Sequence, residues 1–374
     1  MPTDNRAIIS SNRDFRLLAE IPATRESSRV LLRARVLATA ERVGFSAGRR
    51  QDIALVASEL VTNIRKHADG HGVVQVWLQP GPTIDLVAID HGPGILRLEE
   101  ALQDGYSTTR TLGKGLGSIV RLSDHSDFYT HPARRGHCSS AILARFVLRD
   151  APGQAAQLGL FARSHRDGRY NGDALFLYHN GLHLHWLHAD GLGSGERAAA
   201  SSAPLGEAVL QSTRPEEVLH RAQRRLTPGH GVVALAGRCR LDGGRLEVAG
   251  IGDMHLHVLR WDESGAALKE VFSFVPGTLG YTPGSAGGGS GLLIRSHSPV
   301  LGERAIVLSA SDGIRRNWTA QHFESLFART PQLIAYVLGY EIGRFADDQS
   351  LAVFDCGGLR GQPPVAEPSL ERRI

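Results

Sequence analysis

The sequence predicts an α+β chain of two successive domains, and three observations carry that prediction. The 374 residues are enough for two hydrophobic cores. Two stretches with helical spacing lead into two short apolar strands and then glycine-rich segments. After a short linker, Asp150-Ala-Pro-Gly-Gln154, the hydrophobic pattern restarts at Leu158 with strands dominant. The expected division is 1–150, 155–356 and a Pro- and Arg-containing tail, 357–374, whose composition predicts disorder. Each domain is expected to bury its own core and to stand alone as a fragment.

Composition excludes several classes. A formal charge of +4 is small for this length, and no basic block with interleaved aromatics occurs, so nucleic-acid binding is not expected. Cys138, Cys239 and Cys356 form no spaced pair, which argues against a disulfide framework or a cysteine zinc site. No apolar run approaches the roughly 20 residues of a membrane span, and Met1 to Arg13 is polar. The expected setting is cytoplasmic, without membrane contact.

In the first domain, Leu32, Val36, Ala40 and Val43 mark a helix over 24–43, with Thr24 as cap and Gly44 as stop. Ile53, Val56, Leu60 and Ile64 mark a second, from about Gly48 to Ala68. On it Glu59 and Asn63, four apart, share a face. Strands follow at 73–78 and 84–89, the latter ending in Asp90. Then come His91-Gly92-Pro93-Gly94, Gly105-Tyr106-Ser107-Thr108-Thr109-Arg110 and Leu112-Gly113-Lys114-Gly115-Leu116-Gly117. A glycine-rich loop that opens a helix lets backbone N–H groups approach phosphate oxygens.

The order of these motifs, over residues 15–146, resembles the GHKL (Bergerat) ATP-binding fold, an α/β sandwich. Within it the Gly105–Gly117 stretch is similar to the stressosome switch kinases (RsbT-like). The resemblance implies ATP with Mg2+ held through Asn63, and Glu59 polarising an attacking hydroxyl. It implies Asp90 on the adenine amino group, with Gly92, Gly94, Gly113, Gly115 and Gly117 shaping the lid and Lys114 offsetting phosphate charge. Gly136-His137 departs from the family's Gly-Thr at the last strand, where the Thr helps to hold adenine.

The second domain opens on a hairpin. Residues 174–179 and 182–189 flank Asn180-Gly181, a strong turn signal, which puts Asp173 opposite His188 and Asp190 on the diagonal of the same face. Leu175, Leu177, Leu182, Leu184 and Trp186 complete that face as core. Residues 196–226 read as helical with a break near Pro215, then strands as 231–241 and 245–260. A flexible loop is expected at 283–291, then a strand at 304–309, a helix at about 320–343 and a strand at 350–355. Asp173, Asp190, Asp312 and Asp347 each stand where a strand begins or ends.

Gly172-Asp173, Ala189-Asp-Gly-Leu-Gly-Ser-Gly195, Gly250-Ile-Gly-Asp253, Ser311-Asp-Gly313 and Asp347-Asp348 resemble the SpoIIE-like branch of the type 2C phosphatases, an αββα sandwich, and are similar to the stressosome feedback phosphatase (RsbX-like). Oxygen ligands suit hard cations. The resemblance implies two Mn2+ or Mg2+ ions bridged by Asp190, with Asp173 on one side, Asp312 and Asp347 on the other, and the Gly191 carbonyl as a further ligand. Asp348 could replace Asp347 if the register differs by one. His188 is the nearest candidate for a general acid, although a structural hydrogen bond suits it better. His179, His183, His185 and His188 raise a zinc reading, which the face assignment weakens, because His183 and His185 fall on the face opposite the aspartates.

Together the two resemblances imply a kinase and a phosphatase fused in one chain, acting on STAS-domain proteins of a bacterial partner-switching system. The rival reading makes the first domain an inactive nucleotide sensor or anti-sigma-like binding module that gates the phosphatase.

Overall fold

A computed structural model describes residues 9–10, 15–95, 98–102, 115–132, 137–148, 157–165, 170–180, 183–227, 229–240, 243–262, 265, 267–280 and 292–356. The linker, the tail, Gly113 and Lys114 lie outside them. In the first half run β1 (Ile9–Ser10), β2 (Arg16–Pro22), α1 (Glu26–Val43), α2 (Ala47–His67), β3 (Gly72–Gln79), β4 (Thr83–Asp90), α3 (Leu98–Leu102), α4 (Gly115–Leu122), β5 (His125–Thr130) and β6 (Ser140–Val147). The second half runs β7 (Leu158–Arg163), β8 (Asp173–Asn180), β9 (His183–Gly191), α5 (Gly195–Ser202), α6 (Gly206–Gln211), α7 (Pro215–Arg225), β10 (Val232–Arg240), β11 (Gly244–Arg245), β12 (Glu247–Ile251), β13 (His255–Trp261), β14 (Ala267–Ser273), β15 (Arg295–His297), β16 (Val300–Gly302), β17 (Ala305–Ala310), a 3-10 segment (Ala320–Ala328), α8 (Pro331–Glu341) and β18 (Gln349–Asp355).

Helix α1 begins two residues after the expected Thr24; Arg25 is its N-cap residue, and Gly44 ends it at φ 102°. Ser46 caps α2 by accepting from the Arg49 N–H. The expected helix 320–343 is two pieces, because Pro331 begins α8 and Thr330 caps it. Pro215 likewise opens α7 rather than only breaking a helix.

Strands β2-β3-β4-β6-β5 form an antiparallel sheet. One face buries Leu32, Val36, Ile53, Val56, Leu60 and Ile119 of the helices against Val74, Val76, Ile84 and Leu86. In the second half, β14-β13-β17-β18-β7 stacks on β8-β9-β10-β12-β15. Leu175, Leu177, Leu184 and Trp186 fill the space between these sheets, where Trp186 meets Phe354 at 4.6 Å. Helices α5 to α7 cover the outer face through Leu205, Val209, Val218 and Leu219.

The first half has a core of its own, and a second core is shared between the halves. The second face of the first sheet packs on α8, and α8 packs on β7 and β18. Phe15, Trp77, Phe161 and Tyr336 therefore belong to one continuous core, with Trp77 5.3 Å from Phe161 and 5.2 Å from Tyr336. Gly159 and Gly339 permit this approach, since a Cβ at either would strike Pro331 or the Phe161 ring. Strand β1 also crosses over: Ile9 and Ser10 pair with Leu177 and Phe176 of β8. Polar contacts follow the same seam. Asp85 is fully buried, takes both Arg145 nitrogens at 2.7 Å, and accepts from the Tyr336 hydroxyl at 2.8 Å.

Candidate functional site

The hairpin register differs from the expectation. Asn180 pairs with His183 and Asp173 opposes Asp190 directly, with Gly181 and Leu182 outside the described residues. A shift of two keeps every side chain on its face, so the apolar pattern tolerates either register. Glycine at the first of two linking positions is also a good turn sequence. Two carboxylates are thereby brought side by side at the sheet's end.

Burial raises the Asp173 and Asp190 pKa values; for Asp190, Asp173 and Asp312 add like charge. Asp173 is 1 % exposed. Its Oδ2 accepts from Ser350 Oγ at 2.5 Å, while its Oδ1 is buried with no hydrogen-bond partner. Asp312 is raised by burial, then by Asp347 and Asp253. Among the described residues no three ligating side chains yet close on one point. The carboxylates instead stand as Asp173 with Asp190 on one sheet and Asp312 with Asp347 beside the ends of β17 and β18, two inner strands of the other. An orphaned carboxylate oxygen and crowded like charges suit a divalent cation, so the donor set fits hard metal ions.

Asp348 has a different task. Its oxygens accept from the His165 N–H at 2.6 Å and the Gly172 N–H at 2.7 Å, fastening the entry to β8. Gly191 follows Asp190, and its N–H donates to the Gly172 carbonyl at 3.1 Å. His188 is buried between Ser309 Oγ at 3.0 Å and Ser350 Oγ at 2.6 Å, and burial lowers its pKa to about 3. It is a neutral structural group that supports the serine on Asp173. His185 stacks on Tyr178 away from the carboxylates.

Asp253 was missing from the expected ligands. The stretch 245–260 reads as one strand, but it is β12 and β13 in different sheets. The chain crosses at Gly252, φ 94°, where a Cβ would strike Val233. The crossing leaves Asp253 close enough to raise both Asp190 and Asp312. Gly-Asp at 252–253 inside an apolar run was the available signal.

In the first half, Glu59 and Asn63 share the half-buried side of α2. Asn63 Nδ2 is buried without an acceptor, and a Cβ at Gly115, where α4 begins, would lie 3.5 Å from Asn63 Oδ1. Gly117 is buried in the same turn. An unpaired amide beside a helix start fits a phosphate oxygen with its metal ion. Asp90 accepts from the Gly92 N–H at 2.9 Å and from Ser140 Oγ at 2.7 Å, with Ser139 Oγ at 3.4 Å. Ser140 thus supplies a hydroxyl to Asp90, while His137 turns away to meet His322 at 4.5 Å. Gly92 and Gly94 serve close packing: a Cβ on either would lie 2.6 Å from Ala68 Cβ or the His131 carbonyl.

Residues 21–138 match the family model described as histidine kinase-like ATPase domain. The serine/threonine-protein kinase RsbT of Bacillus subtilis (strain 168) is 34% identical over 87 residues, which are 23% of this chain and 65% of that protein. A crystal structure of RsbX in complex with magnesium aligns at TM-score 0.44 and 17% identity, covering 54% of this chain and 97% of that one. The SpoIIE phosphatase domain with part of its regulatory domain, from Bacillus subtilis, aligns at TM-score 0.39 and 14% identity over 88% and 94% of the two chains. No helix among the described residues is long and apolar enough to cross a membrane.

Proposed function

We propose that this chain is a bifunctional regulator of a cytoplasmic partner-switching system. Its first half phosphorylates a Ser or Thr of a STAS-domain protein with ATP, and its second half removes the phosphate. The observation that carries the reading is the facing Asp173–Asp190 pair, with Asp173 Oδ1 buried and unpartnered, in the same chain as Asn63 with its unpaired amide and Asp90 held by Ser140. The RsbT match, a serine/threonine-protein kinase, supports the first activity.

In the first half Asp90 accepts from the adenine amino group while Ser140 and Gly92 hold its carboxylate in place. Asn63 holds the Mg2+ of ATP and the phosphates. Glu59 takes the proton of the attacking hydroxyl as the new O–P bond forms and the bond to ADP breaks. In the second half Asp173, Asp190, Asp312 and Asp347 would hold the metal ions, with Asp253 beside them. The chemistry that two divalent ions, Mn2+ or Mg2+, would supply there is a lowered water pKa and a countercharge for the phosphoryl oxygens. Ser350 and His188 keep Asp173 aimed.

Phosphate on a STAS-domain partner, followed by intact mass, tests both activities. Asn63→Ala should lose ATP-dependent phosphorylation and keep Mn2+-stimulated dephosphorylation; Asp312→Ala should do the reverse. If wild type and Asp312→Ala bind ATP yet phosphorylate no partner, the kinase reading falls. A sensor that gates the phosphatase would then stand, and the shared core through Trp77, Tyr336 and Phe161 already favours communication between the halves.

A further inference from the structure

We propose that Glu341 is a positioning residue common to both sites, so that a nucleoside phosphate bound against Asp90 alters the metal affinity of the aspartate cluster. The proposal rests on the nucleotide reading above and adds the route and the residue.

Glu341 ends α8, in the second half, and its side chain is only 6 % exposed. Its Oε1 lies 2.8 Å from His91 Nε2, and its Oε2 accepts from the Cys138 N–H at 3.2 Å. His91 follows Asp90 directly. Cys138 precedes Ser139 and Ser140, whose hydroxyls reach Asp90. One carboxylate from the second half thus ties together the two segments that frame Asp90 of the first. A nearly buried carboxylate needs both donors, so movement of either segment is felt by Glu341.

The other direction is as short. The Ile342 carbonyl accepts from the Arg315 N–H at 2.9 Å, and the Arg344 N–H donates to the Gly313 carbonyl at 2.7 Å. Ile314 and Gly343 form a bridge. Asp312 lies one residue before Gly313, and the Asp347 N–H donates to the Arg344 carbonyl at 3.1 Å. Slack is small here: a Cβ at Gly313 would strike the Asp348 carbonyl, and one at Gly343 would lie 2.5 Å from the Gly339 carbonyl. Close packing makes such a segment shift as a unit rather than deform. By linkage, whatever nucleotide does to metal affinity, metal does to nucleotide affinity.

The test uses the full chain with ADP and Mn2+ as probes. ADP affinity is measured by calorimetry, and the free Mn2+ concentration for half-maximal hydrolysis of p-nitrophenyl phosphate, fixed with a metal buffer that allows for the Mn2+ bound by ADP itself, is measured with and without saturating ADP. In wild type, ADP should shift the Mn2+ half-activation about 5-fold or more. Glu341→Gln, which keeps shape but offers one acceptor, should bind ADP several-fold more weakly and lose that shift. His91→Asn, changed from the solvent side of the same contact, serves if Glu341→Gln melts early. No shift in wild type, or an undiminished shift in a folded variant, overturns the proposal. Failure of wild type to bind ADP at all overturns instead the nucleotide reading beneath it.

Discussion

Two sets of buried carboxylates among the described residues are built in opposite ways. Asp85, in the middle of β4, has a bidentate Arg145, the Tyr336 hydroxyl and Gln79 Nε2 at 3.0 Å. Asp173 and Asp190 face each other with no ion-pair partner among the described residues and one orphaned oxygen, and burial drives both pKa values up. The difference teaches what each is for. Where the protein supplies the countercharge, a buried carboxylate is a fastener between elements. Where the protein withholds it, the carboxylates hold a place for a cation from outside.

Opposite substitutions should therefore have opposite signs. Asp190→Asn should cost at least the roughly 100-fold in Mn2+-dependent hydrolysis that loss of an outer-shell partner alone can cause. The same change should raise the melting temperature of the metal-free protein, because it removes the cost of burying that carboxylate or of protonating it beside Asp173. Mn2+ should raise the melting temperature of wild type and not of the variant. Near-normal turnover of p-nitrophenyl phosphate by Asp190→Asn would remove the pair from the metal centre.

Asp85→Ala should do the reverse. It leaves Arg145 buried without its partner, which typically costs about 3–5 kcal/mol. The loss should appear as a lower urea midpoint, with metal-dependent hydrolysis retained wherever the protein is folded. Fragments cut between residues 150 and 155 should also fare badly, since cutting uncovers Phe15, Trp77, Phe161 and Tyr336. A stable, soluble 1–150 fragment would show that Asp85 fastens less than its contacts imply.

The sequence displayed some of this contrast and concealed the rest for identifiable reasons. Alternation along 173–190 marks Leu175, Leu177 and Trp186 as core beside the aspartates, because a pleated strand sends alternate residues to one face. Register was not legible there, since a shift of two preserves every face. Asp253 was hidden because Gly252 ends one strand and turns the chain to another sheet without any polar run to mark a loop. The shared core had a signal that went unused. Ile84 to Ile89 is apolar at almost every position, the pattern of a strand covered on both faces rather than one. Asp85 alone interrupts it, and its partner Tyr336 is too far along the chain for any local pattern to reveal.

A smaller effect should separate the two site architectures further. Asp90 is satisfied by its own chain, through Gly92 and Ser140, so deleting one bond there should weaken nucleotide binding without disabling it. Ser140→Ala removes the 2.7 Å bond to Asp90 Oδ2, worth about 1 kcal/mol net and hence roughly 5-fold in ADP affinity. A loss as steep as that expected from a metal ligand would mean that Asp90 is as dependent on single partners as Asp173.

The smallest effect concerns the contact between the halves at His91. Its hydrogen bond to Glu341 raises its pKa; partial burial opposes this, and the charges of Glu341 and then Asp90 add to the rise. Tyr340, with its ring 6.4 Å away, stays neutral, since burial pushes its hydroxyl up to about 12. A histidine raised in the folded state stabilises it fully below the unfolded value near 6.5, and that contribution is lost as pH climbs through the folded value. The melting temperature of wild type minus that of His91→Ala should therefore be largest near about pH 6 and shrink toward about pH 9. Because His91 is partly exposed, salt should reduce the difference at the acid end as well. A difference that is flat across the range would mean that His91 holds Glu341 through a neutral ring. The seam would then be fastened by Asp85 and its partners, with no charge contribution from the nucleotide side.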